Sequence, residues 1–151
     1  MSEPQSATIA ICNVDGRSEQ CDLKFEVSHE NVVMRTESVT LGSQIWNGRD
    51  AFHALELFRR EIEPEGWRTL CNGARRKAYP SGMCRDMGRG FMLYPIPSNG
   101  PPNLRTFEPA PIEEVGTVEE QLTVWNDWRE GIKKSAQSPK ASLWKRLWKK
   151  K

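Results

Sequence analysis

The segment GARRKAYPSGMCRDMGRG, residues 73–90, concentrates side chains that could do chemistry. Arg75, Arg76, Lys77, Arg85 and Arg89 stand among Pro80, Gly82, Gly88 and Gly90, with Asp86 the only acid. Arginine forks pair with carboxylates and phosphates, and glycine-rich turns can aim backbone N–H groups at an anion. The segment is nevertheless neither G-x-x-x-x-G-K-[ST] nor G-x-G-x-x-G, and no strong helical pattern follows Gly90, so the usual phosphate loops are excluded. Tyr79 and Phe91 could stack on bases, but the acidic body described below fits a nucleic-acid groove poorly. Long loops inside compact domains are often functional. The reading is therefore of a partner-binding loop, with Arg75, Arg76, Lys77, Tyr79, Met83, Arg85, Asp86 and Arg89 as its contacts. A phosphate site and a merely solvated connection are the alternatives.

Other reactive groups do not assemble into a catalytic set. Ser81 lacks the glycine two residues upstream that a nucleophile elbow requires. The two histidines, His29 and His53, have no evident orienting group. Cys71 and Cys84 have cationic neighbours that can lower a thiol pKa, but no base to pair with. Glu119 and Glu120 suit the first turn of a helix, and Glu61, Glu63 and Glu65 read as a solvated helix end. Trp125 and Trp128 read as core anchors. Four cysteines without C-x-x-C and two histidines give no familiar zinc spacing, so neither metal nor cofactor is expected. Cys12 and Cys21 could face each other on neighbouring strands, although reduced thiols in a cytosolic protein are the plainer expectation.

The last residues form a second unusual feature. In SLWKRLWKKK, Leu143, Trp144, Leu147 and Trp148 recur at helical spacing, with Lys145, Arg146 and Lys149 to Lys151 supplying a polar side. This is the composition of a short interfacial helix. It allows weak contact with a membrane surface, a solubilising tail, or docking to a protein or nucleic acid. The tail also sets the net charge: without its six cations, 16 remain against 20 acids, so residues 1–137 carry about −4 while the whole chain is +2. No apolar run approaches the roughly 20 residues of a membrane span, and the opening MSEPQSATIAIC lacks the pattern of a secretory signal. A cytoplasmic protein is expected, with peripheral contact at the inner membrane through its tail as the alternative.

These groups must be positioned by a scaffold of 151 residues, enough for one domain with a real core. CDLKFEVS alternates apolar and polar residues, and with ATIAICNV and the turn at Asp15–Gly16 it predicts a hairpin over 7–28. NVVMRTESVTL predicts a third strand. From Asp50 the period changes, and Phe52, Leu55, Phe58 and Ile62 predict a helix over 50–63, closed by Pro64 and Gly66. WRTLCNGA, FMLYPI and LRTFEP predict further strands. Thr117 and Glu120 form a capping box for a second helix bearing Val118, Leu122, Trp125 and Ile132. The expectation is an α+β domain over 1–135, with an antiparallel sheet of five or six strands and two helices on one face, followed by a linker and tail over 136–151.

GW at 66–67, NGARR at 72–76, YPSGM at 79–83, RDMGRG at 85–90 and GTVEEQ at 116–121 carry a resemblance. The chain resembles, over about residues 50–130, small and mostly uncharacterised bacterial proteins of polymorphic-toxin loci. The resemblance implies a cytosolic immunity or accessory protein that works by binding a protein, with a toxin domain as the candidate partner. It carries over no catalytic residue.

Overall fold

A computed structural model describes residues 5–98 and 100–137. Four strands, β1 (Ser6–Asn13), β2 (Ser18–Val27), β3 (Val32–Ser38) and β4 (Gly42–Gly48), run as an antiparallel meander. A short β5 (Trp67–Thr69) pairs with β1, giving the order β4-β3-β2-β1-β5. The alternation read in β2 holds: Cys21, Leu23 and Phe25 are buried while Asp22, Lys24 and Glu26 face solvent. Gly16 closes the first turn at φ +99°, a left-handed backbone that suits glycine. The resulting register sets Cys12 opposite Ser18 and Cys21 opposite Ile9. The two cysteines are therefore not cross-strand partners, and all four thiols are free.

Helix α1 (Ala51–Ile62) covers the inner face of this sheet, packing on β3, β4 and β5. Asp50 caps it, accepting the His53 N–H at 2.7 Å. Phe52, Leu55, Phe58 and Ile62 are all buried, as their spacing predicts. The helix meets β4 so closely that a Cβ on Gly48 would lie 2.4 Å from the Ala54 nitrogen. Trp46 of β4 packs on Phe58 with ring centroids 5.5 Å apart.

Residues 73–90, expected as a loop, are instead structured: a 3-10 turn (Asn72–Ala74), β6 (Ala78–Tyr79) and the short helix α2 (Gly82–Asp86), capped by Ser81. Strands β7 (Met92–Pro95) and β8 (Leu104–Arg105) join β6 in a separate three-stranded sheet. Prolines at 80, 95, 97, 101 and 102 keep these strands short, because proline cannot donate to a ladder. Helix α3 (Val118–Gln137) opens on the predicted capping box: Glu120 N–H donates to Thr117 Oγ1 at 3.1 Å, and Thr117 N–H to Glu120 Oε1 at 2.9 Å. It packs on β6 and α1. The fold is thus α+β and antiparallel, with the eight strands of the described residues divided between two sheets.

Candidate partner-binding face

The arginines of the 73–90 segment are turned to internal work. Arg75 pairs with Glu114 and donates from Nε to Asn72 Oδ1 at 2.7 Å. Arg76 donates to the carbonyls of Glu113 and Val115. Arg89, at φ +54°, reaches across to the turn between β2 and β3, where its Nη atoms donate to the carbonyls of Ser28, His29 and Asn31. Arg85 bonds Asp50 Oδ2 at 3.0 Å and lies over the rings of Phe52 and Tyr79, 5.1 and 5.6 Å from their centroids. Asp50 is itself buried, so one carboxylate both caps α1 and anchors α2. Of the eight expected contacts, Lys77, Met83 and Asp86 stand exposed, and the structure adds Met87, one turn from Met83 and 79% exposed.

Beneath this segment lies a polar cluster that the sequence reading missed. Arg59 is fully buried and donates from Nε to Glu63 at 2.9 Å, from Nη1 to the Gly73 carbonyl and to Gln121 Oε1 at 2.7 Å, and from Nη2 to the Gly116 carbonyl. Glu63 in turn accepts the Val118 N–H at 2.9 Å, at the start of α3. The carbonyls of Gly73, Arg75 and Ala78 lie 2.9, 2.9 and 3.0 Å from Gln121 Nε2. Glu63 is therefore not a solvated helix end. It neutralises a buried guanidinium that ties α1, the 73–78 backbone and α3 together. The available signal was positional: Arg59 falls on the α1 stripe, seven residues after Phe52 and four after Leu55, where an apolar residue belongs.

Along α3 the burial falls away from its docked start. Val118 and Gln121 are buried, Leu122, Trp125 and Trp128 are half-buried, and Ile132 is 51% exposed. Trp125 stacks on Tyr79 at 4.8 Å and an interplanar angle of 17°. Tyr79 meets buried Phe52 edge-on at 5.2 Å, and Trp128 continues from Trp125 at 5.5 Å. A run of four aromatic rings thus leads from the core to the outer half of α3, flanked by Arg129 over Trp125. The two tryptophans, expected as core anchors, are held at the core's edge.

The thiols are poorly placed for chemistry. Burial pushes Cys21 up to about 11 and also raises Cys71, and desolvation raises half-buried Cys12. His53 Nδ1 accepts the Arg49 N–H at 3.1 Å. Among the described residues, no group of three or more His, Cys, Asp or Glu side chains could hold a metal ion, and no helix is long and apolar enough to cross a membrane. The tail residues Leu143, Trp144, Lys145, Arg146, Leu147 and Trp148 lie outside the described residues. No protein-family model matches the chain, and no curated protein matches it.

Proposed function

We propose that this chain is a non-enzymatic protein-binding module, in its specific form a cytoplasmic immunity-type inhibitor of a bacterial toxin domain. The observation that carries the binding reading is the aromatic run that surfaces on α3, ending at half-buried Trp128 and exposed Ile132. Tryptophan and tyrosine anchors dominate the energy of protein interfaces, and an exposed methionine pair such as Met83 and Met87 adapts to a partner's contour. Lys77, Asp86 and Arg129 supply mixed charge for steering the encounter. Arg75, Arg76, Arg85 and Arg89 support this face rather than spend their donors on the partner. The inhibitor form rests on the resemblance carried by NGARR, YPSGM, RDMGRG and GTVEEQ. Four free thiols, three of them buried, support a reducing compartment.

The test is affinity capture from a lysate of the encoding organism, followed by co-expression of the captured protein with and without this chain. One protein retained in stoichiometric amount, harmful when expressed alone and harmless beside this chain, supports the reading. A chain that retains no stoichiometric protein, or whose captured partner is equally active in its presence, overturns it.

A further inference from the structure

Among the described residues, the five-stranded sheet has a long, bare edge at β4. Its order places β4 outermost on one side, while the opposite edge, β5, is only three residues long. In an antiparallel pair every second residue turns its N–H and C=O away from the neighbouring strand. Among the described residues, the backbone groups of Gly42–Gly48 that turn away from β3 have no hydrogen-bond partner in another element. Gln44 Oε1, shielded from solvent, is one more unfilled acceptor on the same strand.

Proteins usually protect such an edge with lysine, proline, a bulge or a very short strand. Strand β4 has none of these. It runs seven residues, GSQIWNG, without charge or proline, and its pairing with β3 is continuous from Gly42 to Gly48. Except at Gln44 and Trp46, its residue classes also read alike in both directions. Antiparallel pairing with itself about Ile45 sets glycine on glycine (42 with 48), small polar on small polar (Ser43 with Asn47) and Gln44 beside Trp46. Ile45, 59% exposed on the solvent face, then meets its own copy.

We propose that β4 pairs antiparallel with β4 of a second copy about a two-fold axis at Ile45, joining two five-stranded sheets into one. A second copy fits better than a foreign strand because five of the seven positions meet a residue of their own class, Gly42 with Gly48, Ser43 with Asn47 and Ile45 with its copy. The proposal is independent of the α3 face and stands or falls without it.

The test uses the full chain in sedimentation and cross-linking. Wild type is expected to sediment as a dimer, twice its 17.3 kDa. Ile45→Lys, which sets two cations on the axis, is expected to halve the mass with an unchanged circular dichroism spectrum. Residues directly opposed on paired strands have Cβ atoms about 4.5–5.5 Å apart, near disulfide reach. Mild oxidation should therefore cross-link Ile45→Cys into a covalent dimer, while Ser43→Cys, displaced from the axis, cross-links far less and wild type not at all. The cross-linking comparison decides even if the lysine variant fails to fold. A monomeric wild type, whether its edge is bare or covered by its own tail or a foreign strand, overturns the proposal. So does cross-linking of Ser43→Cys to the same extent as Ile45→Cys.

Discussion

Arg59 and Glu63 stand one helical turn apart with Nε 2.9 Å from the carboxylate, and neither side chain is more than 5% exposed. Taking two charges out of water costs several kcal/mol per ion, so the pair persists only because every facing group is matched. Here the matching groups are the Gly73 and Gly116 carbonyls, Gln121 and the Val118 N–H. Removing one partner strands the other. Arg59→Met or Glu63→Gln is expected to cost about 3–5 kcal/mol in urea denaturation. The double replacement Arg59→Met/Glu63→Met should not restore wild-type stability, because the Gly116 carbonyl, Gln121 Oε1 and the Val118 N–H lose their partners too.

Arg85 fastens α2 to α1 through buried Asp50 and two rings. Arg85→Ala should destabilise the fold by about 1.5–3 kcal/mol, the range for a hydrogen bond to a charged group. Arg85→Lys should recover part of that loss, since lysine keeps the charge but not the planar fork. Equal stability of Arg85→Ala and wild type in urea would contradict the anchoring role.

The capping box of α3 makes a pH-dependent contribution. The Thr117 N–H, the largest cause, holds the Glu120 carboxyl below its ordinary value. A lowered folded value adds stability above the unfolded value and loses it as pH falls through the folded one. Acidification below pH 4.5 should therefore cost wild type an increment that Glu120→Gln lacks. At neutral pH, Thr117→Ala should cost about 1 kcal/mol, typical of a lost N-cap. Thermal melts across about pH 3–7, the span of carboxyl titration, compare the three proteins.

Thiol labelling reads the core directly. Half-buried Cys12 should react first in the folded protein, and Cys21, Cys71 and Cys84 only on unfolding. Burial raises Cys21 from 9.0 to about 11, so its neutral form is favoured in the folded state. The stability this gives is intact below 9.0 and declines as pH rises toward about 11, because the unfolded chain releases that proton first. Cys21→Ala should show a shallower alkaline decline than wild type.

Much of the scaffold was legible because it is written in period. The alternation of Cys21, Leu23 and Phe25 and the helical recurrence of Phe52, Leu55, Phe58 and Ile62 each demand one buried face. The Thr117–Glu120 box was legible because its reciprocal bonds are local. Strand β4 was hidden because GSQIWNG has glycine at both ends and no clean alternation. The roles of the 73–90 arginines were not legible, because most of their acceptors lie far along the chain: Asp50 for Arg85, the Glu114 carboxylate for Arg75, the Glu113 and Val115 carbonyls for Arg76, and the 28–31 turn for Arg89. Two of the motifs that carry the resemblance, NGARR and GTVEEQ, meet in space. Gly73 and Gly116 supply carbonyls to Arg59, and Gln121 supplies its amide oxygen. These residues join α1, the 73–78 backbone and α3 into one unit.

In the proposed complex, α3 and α2 present the face that meets the partner, and the arginines support it from within. The most direct measurement is calorimetric affinity for the captured partner by wild type, Met83→Asp and Ile132→Asp. Both positions are more than half exposed, so the fold should tolerate the change. The account predicts at least about a tenfold weaker complex for each, or roughly 1.4 kcal/mol, with unchanged melting temperature. Wild-type affinity in both variants would contradict it.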